Sequence, residues 1–350
     1  MRGRSFFFAC ALTAIILMCG DAIAAQKKSK ALAELTLYQG PDRQKILEEG
    51  ARKEEKLIFY TSSVWAPPIV KAYQNKYPYI KVIIWRAGSS ALVPRVLEEY
   101  GANKHLFDVI EITQAGNMIL KSAGIAHLFH SPHLAAIEEG ALNKSPIGGV
   151  FEAPFRTSGI GLGFNTRLIG KEQVPKTYQD LLDPKWKGKM AISGESTGAN
   201  WMGTVLETYG EDFVRQLAKQ DLQAHLVSGR ALCDMVINGE YALSPTIFDS
   251  HVAESKAKGA PIDWIPLEPV HVNLGLIALP SHIPHPHAAL LFIDFELSKE
   301  GAEINKAGGY NPMRKDVPPL LKAYKKFYGS KSVEQTKRWT ELFNQLFLKK

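Results

Sequence analysis

The chain has 350 residues and a formal net charge of +7; 45% of its residues are hydrophobic and 22% charged. That balance excludes a collagen-like, low-complexity or highly charged disordered chain and fits about two globular domains. The basic residues are dispersed rather than gathered into an arm, so the positive surplus reads as solvated surface, and no nucleic-acid partner is expected.

The first residues form a targeting segment. Arg2 and Arg4 precede an apolar run over residues 5–19, and Ala22-Ile23-Ala24 supplies the small residues of a signal-peptide cleavage site. Residues 1–24 are read as a signal peptide cut after Ala24, which makes the mature protein periplasmic. The apolar run is short for a bilayer span. Cys19 offers a second cutting point with lipid anchoring, but Met18 stands where such sites carry a small residue. Without Arg2, Arg4 and Asp21 the net charge is +6. Cys10 and Cys19 leave with the leader, so Cys233 has no disulfide partner and reads as a buried small hydrophobe.

Strand and helix patterns then alternate. Residues 41–55 read as a helix and 56–60 as a strand ending in Thr61-Ser62-Ser63; a helix follows, with Pro67 and Pro68 in its first turn. Residues 81–86 form the next strand, Gly88-Ser89-Ser90 its turn and 91–103 its helix. Residues 108–113 and 114–123 repeat the unit. Such alternation predicts a mainly parallel sheet covered on both faces, with ligands at the carboxyl ends of the strands. Those ends are small, polar and rich in hydrogen-bond donors.

The middle of the chain is Pro154-Phe155-Arg156-Thr157-Ser158-Gly159, continued by Gly161 and Gly163 between Ile160, Leu162 and Phe164. It reads as two short extended runs joined at Thr157-Ser158-Gly159. Glycine within a strand marks close approach of another backbone or a ligand. The segment is either a crossover between two α/β lobes or a buried strand of one large sheet. Beyond it, a short helix over 177–182, a strand over 189–193 and helices over 199–209 and 211–220 are expected. A helix over 230–238, a strand over 241–246 and a helix over 249–258 come next. Strands over 263–266 and 270–278 and helices over 286–297 and 299–307 follow. Residues 318–350 carry helical apolar patterns that include Leu321 and Trp339.

Gly194-Glu195-Ser196-Thr197-Gly198 matches G-x-S-x-G between a strand and a helix, the context of a nucleophile elbow. A secreted serine hydrolase is therefore the alternative function, although no oxyanion loop of the H-G-G type occurs. The hydroxyl turns at 61–63, 89–90 and 196–197 share another property. Each precedes a helix N-terminus, where free N–H groups and the helix dipole favour an anion; the plainer reading is that they are N-caps. Arg156 could meet a carboxylate or phosphate in a bidentate pair. His282, His285 and His287 read as an exposed loop entering a helix rather than a metal site, and His127, His130 and His133 as a looser version of it.

Several stretches together resemble the periplasmic solute-binding proteins of ATP-driven importers, in the group that includes the bacterial ferric-ion-binding proteins. They are KLIFYTSS at 56–63, DPKWKGK at 183–189, Asn238-Gly239-Glu240, AALLFIDFELSKEG at 288–301 and GYNPMRKDV at 309–317. The resemblance implies an α/β fold of the two-lobe, type II-like class, with hinge strands and a ligand cleft. It implies a non-enzymatic protein that delivers a small-molecule solute to an inner-membrane ABC permease; no cofactor is expected, and the protein is read as a monomer. Iron-binding members carry two adjacent tyrosines a few residues after the Asn-Gly-Glu. Here that slot falls at Asp249-Ser250, and Tyr241 lies too close to Glu240 to fill it. Asp249 and His251 remain plausible metal ligands, but a phosphorylated or other anionic solute suits the hydroxyl turns better.

On this basis residues 30–155 with 275–315 form lobe one, 160–270 lobe two and 316–350 a C-terminal helical segment. Ser62, Ser63 and Ser89 are expected to bind the solute from lobe one, and Ser196, Thr197 and Asp249 from lobe two, with Arg156 at the hinge.

Overall fold

The computed structural model describes residues 30–138, 141–320, 324–330 and 332–348. The leader, its cleavage site after Ala24, Cys19 and Leu321 lie outside the described residues. No described helix is long and apolar enough to cross a membrane.

Helix α1 (Arg43–Glu54) leads into the alternating units β1 (Lys56–Thr61), α2 (Ala66–Lys76), β2 (Lys81–Arg86), α3 (Ser89–Gly101), β3 (Val109–Thr113) and α4 (Gln114–Ser122). β1 runs parallel to both β2 and β3, with Phe59 opposite Ile84 and Val109. Val109, Ile110 and Ile112 are all buried, without alternation, because helices cover both faces of a parallel sheet. β4 (Ala126–His127) is a short edge strand, and β5 (Glu152–Asn165) follows.

The later elements are β6 (Ala191–Ser193), α5 (Ser196–Tyr209), α6 (Glu211–Ala218), β7 (Gln223–His225), α7 (Gly229–Asn238), β8 (Leu243–Phe248), α8 (Asp249–Ala257) and β9 (Ile262–Ile265). After them come β10 (Val270–Pro280), α9 (Pro286–Leu297), α10 (Lys299–Ala307), β11 (Asn311–Pro312), β12 (Lys326–Phe327) and α11 (Val333–Phe343). Residues 177–182, expected as a helix, contain only the 3-10 turn Gln179–Leu182.

β5 is one unbroken strand of 14 residues, not two runs joined at Thr157-Ser158-Gly159. Those three residues pair with Leu274, Asn273 and Val272 of β10, so the partner strand engages the backbone that small polar residues otherwise fold into a local turn. The two strands run antiparallel from His271 opposite Ile160 to Ala278 opposite Glu152, with a bulge between Gly275 and Leu276. The far half of β10 joins β3, and the far half of β5 joins β8 and β9.

β5 therefore feeds two cores. Ala153 and Phe155 belong to one, built around Phe59, Tyr73 and Phe292. Ile160, Leu162 and Phe164 belong to the other, built around Tyr178, Trp201 and Trp339. The C-terminal stretch is not wholly helical: Lys326–Phe327 extends parallel to Val270 and His271 before α11 begins. Helix α11 then inserts Trp339 and Phe343 into the second core. Trp339 packs on Gly203, where a Cβ would lie 2.1 Å from the indole ring.

The glycines of β5 serve packing. A Cβ on Gly161 would lie 2.5 Å from the Trp264 ring and 2.8 Å from the Ile265 carbonyl; one on Gly163 would lie 2.8 Å from Ile247. The histidine loop also differs from expectation. Only His282 is exposed, stacked on His105 at 4.1 Å. His285 Nδ1 lies 2.9 Å from Asp108 and His287 Nδ1 2.6 Å from Glu54, so both hold the start of α9. Among the described residues no three His, Cys, Asp or Glu side chains are placed to hold a metal ion.

Replacing Gly161 by Val should lower stability by about 2–3 kcal/mol, because Trp264 and a strand backbone must both move. His282→Ala should change it by less than about 0.5 kcal/mol. Chemical unfolding of the two variants checks the difference; equal, small losses would mean β5 is loosely packed at Gly161.

Candidate functional site

The carboxyl ends of β1, β2, β3, β6 and β8 meet at one cleft of about 330 Å³, within the size range of small-molecule sites. Ser62, Arg86, Ser89, Ser90 and Thr113 line one wall, and Glu195, Ser196, Thr197, Ser228, Arg230 and His251 the other. Arg156 and Ser158 of β5 and Asn273 of β10 lie between the walls.

Among the described residues five helices, α3, α4, α5, α7 and α8, begin at these walls. Each helix start carries backbone N–H groups without an intrahelical acceptor. Only α7 is capped by a side chain, Ser228 Oγ accepting from the Ala231 N–H at 3.2 Å. The cap residues of the other four, Gly88, Thr113, Glu195 and Phe248, make no side-chain cap hydrogen bond. Four helix N-termini, drawn from both walls, thus turn the positive ends of their dipoles to one space, although in α8 the Ser250 N–H is already accepted by Asp249 at 2.7 Å.

A second cavity of similar volume, about 360 Å³, is lined by residues of α1 and α9. Its lining mixes Glu48 and Asp294 with Arg52 and Lys76, and neither β5 nor β10 contributes to it.

Residues 121–328, over half of the chain, match the family described as bacterial extracellular solute-binding protein. This chain belongs to that family. An uncharacterised protein of Haemophilus influenzae is 26% identical over 268 residues, covering 73% of this chain and 76% of the relative. Among solved structures, iron-bound HitA from Pseudomonas aeruginosa superposes with a TM-score of 0.67 at 21% identity, covering 83% of this chain and 99% of that one. The periplasmic binding protein AfuA from Actinobacillus pleuropneumoniae, with exogenous fructose-6-phosphate bound, superposes with a TM-score of 0.69 at 22% identity, covering 84% and 98%. The fold is thus the two-lobe periplasmic-binding-protein fold, with β5 and β10 crossing between its cores.

Of the residues expected to bind the solute of this binding protein, Ser62, Ser89, Arg156, Ser196 and Thr197 line the cleft. Ser63 and Asp249 do not. Ser63 is buried, and its Oγ accepts the Trp65 N–H at 3.1 Å. Asp249 is buried behind the lining. It accepts from Ser158 Oγ at 2.8 Å, the Ser250 N–H at 2.7 Å and Asn311 Nδ2 at 3.1 Å. Burial raises its pKa to about 6 despite these bonds. Asp249 therefore positions Ser158 and Ser250, both of which line the cleft.

Arg156 is held from below. Its guanidinium pairs with Glu111, which also accepts from Thr61 Oγ1, and it lies 4.0 Å from the centroid of the Tyr310 ring. The Arg156 charge is already matched before any solute arrives. Arg230 is likewise paired, with Asp234 at 2.7 Å. The Arg86 side chain has no ion-pair or hydrogen-bond partner among the described residues. His251 presents a buried Nδ1 with no partner, and burial lowers its pKa to about 4, which keeps the ring neutral.

The sequence reading missed Arg86, Ser228, Arg230, Asn273 and Tyr310. Ser228-Gly229 carries the same hydroxyl-before-helix signal as the other turns, and Arg86 ends a strand whose carboxyl end was already marked for a ligand. The G-x-S-x-G stretch does sit between strand β6 and helix α5. Yet Ser196 hydrogen-bonds no histidine among the described residues, and His225 Nε2 is 2.9 Å from Tyr241 Oη.

Beneath Arg156 lies Glu296, whose Oε1 accepts from Asn305 at 2.8 Å. Burial first, and then the Glu111 charge, lift its pKa from 4.5 to about 8. The folded protein keeps a proton there that the unfolded chain releases. Its contribution to stability therefore declines as pH rises from the ordinary carboxylate range through 8. Glu296→Gln, which mimics the neutral acid, should melt above the parent at pH 9 and match it within about 1 kcal/mol at pH 5. Thermal unfolding at both pH values checks this; an equal loss at both would show that Glu296 acts only through shape.

Proposed function

We propose that this chain is the solute-binding component of an ABC importer and captures a small anionic solute, phosphorylated or carboxylate-bearing, in the cleft. The observation that carries this reading is the set of four uncapped helix N-termini directed at one space from both walls. Each contributes about 0.3–1 kcal/mol toward an anion when exposed and up to about 2 when partly buried. Arg86 and the hydroxyls of Ser89, Ser90, Ser196 and Thr197 add charge-assisted and neutral hydrogen bonds.

In this reading residues 30–155 with 275–315 are one lobe and 160–270 the other, and of the stretch 316–350 the described helix α11 braces the second. The lobes close about β5 and β10. A solute touching both walls favours the closed form through its greater affinity for it. The protein works in the periplasm as a monomer and passes its cargo to an inner-membrane permease. HitA was solved with iron and AfuA with fructose-6-phosphate. The preference for an anion over ferric ion rests on this chain's own cleft. The slot expected for paired tyrosines holds Asp249, which is buried and engaged by three donors.

In a thermal-shift panel, phosphate monoesters or phosphonates at about a hundred times their Kd should add about 2.7 kcal/mol, a shift of several degrees. Arg86→Ala should weaken that binding by about tenfold. Ferric ion should give no shift, and a fluorophosphonate should leave Ser196 unlabelled. Stabilisation by ferric ion alone, or labelling of Ser196 with ester hydrolysis lost in Ser196→Ala, would replace this reading.

A further inference from the structure

The charges that line the cleft are not equivalent. Arg156 is matched by Glu111, and Arg230 by Asp234 with Glu254 at 3.7 Å. Two charged groups remain, Arg86 and Glu195; both are exposed, and neither side chain has an ion-pair or hydrogen-bond partner among the described residues. They come from opposite walls: Arg86 ends β2 beside the start of α3, and Glu195 stands immediately before α5. Glu195 occupies the cap position of α5 yet makes no cap hydrogen bond, so only the helix dipole ties its carboxylate to α5 and its oxygens are open to a donor in the cleft.

Toward a bare anion Glu195 is a poor neighbour, because like charges at close range oppose binding. A carboxylate in an anion-binding cleft becomes favourable when the ligand also brings a cationic donor to it. We propose that the cleft selects a zwitterionic solute, in which the anionic head meets Arg86 and the helix N-termini and a separate ammonium group meets Glu195. Glu195 is then the residue that sets specificity and Arg86 one that contributes general anion affinity. This inference rests on the anion-binding reading of the cleft.

Calorimetric titration with two probes separates the two ideas: 2-aminoethyl phosphate, which carries the ammonium, and ethyl phosphate, which lacks it. The parent should prefer 2-aminoethyl phosphate by about tenfold or more. Glu195→Gln should erase that preference by weakening 2-aminoethyl phosphate and tightening ethyl phosphate, while Arg86→Gln should weaken both. If the parent binds both probes equally, or prefers ethyl phosphate, the inference fails while the anion-binding cleft stands. If Glu195→Gln weakens both probes, Glu195 instead pairs with Arg86 across the closed cleft, and the inference also fails. If the parent binds neither probe, the anion reading falls and takes the inference with it. Both positions are exposed, and unchanged melting of each variant without ligand shows that the fold is intact.

Discussion

The antiparallel pairing of β5 with β10 is the constraint on which the rest of the molecule depends. It is the ladder that runs from one apolar core to the other, and every residue between the walls of the cleft is attached to it. At its bulge beside Gly275, the Arg156 side chain crosses the backbone so closely that a Cβ on Gly275 would lie 2.7 Å from Arg156 Cγ. The guanidinium then reaches Glu111 on β3, which ties the ladder to the parallel sheet. A buried ion pair is costly to desolvate and adds little net stability, but losing one partner leaves the other charge stranded. Arg156 and Glu111 therefore fix where the strands cross and how they are oriented more than they deepen the energy well.

The cleft follows from that geometry. Parallel strands deliver their carboxyl ends, and the helices that follow them, to one edge of the sheet. Because β5 and β10 join two such arrangements, two sets of helix N-termini face each other. Leaving α4 and α5 without side-chain caps forgoes about 1 kcal/mol each, and Gly88 before α3 only a few tenths. The same uncapped groups are what an anion would recognise, so stability given up locally and binding capacity have one physical origin. Asp249 belongs to this picture from behind. It is a buried carboxylate that holds the Ser158 hydroxyl and the Ser250 N–H, and the Ser158 hydroxyl in turn bonds that of Ser250.

Much of this organisation was legible in the sequence, and the reasons are specific. The first three β-α units announce themselves by apolar periodicity and by hydroxyl or glycine turns. The alternation of Gly159, Gly161 and Gly163 with large residues marks a strand approached closely by its neighbours, as Trp264 and Ile247 show. What was not legible is non-local. Ser62 and Ser63 are adjacent and chemically identical, yet one lines the cleft and the other turns inward, because successive residues of extended chain face opposite ways. The partner of Arg156 is 45 residues away. The continuity of β5 through Thr157-Ser158-Gly159 depends on a strand more than a hundred residues downstream, which local propensity cannot reveal.

The central claim is that helix N-termini from both walls bind one anion together. Amide hydrogen exchange with a phosphate monoester bound tests it most directly. The account predicts slowed exchange of the first-turn amides of α3 and α4 on one wall and of α5 and α8 on the other, in the same titration. Slowing confined to a single wall, or found instead around Tyr77 and Asp294 in the second cavity, would contradict it.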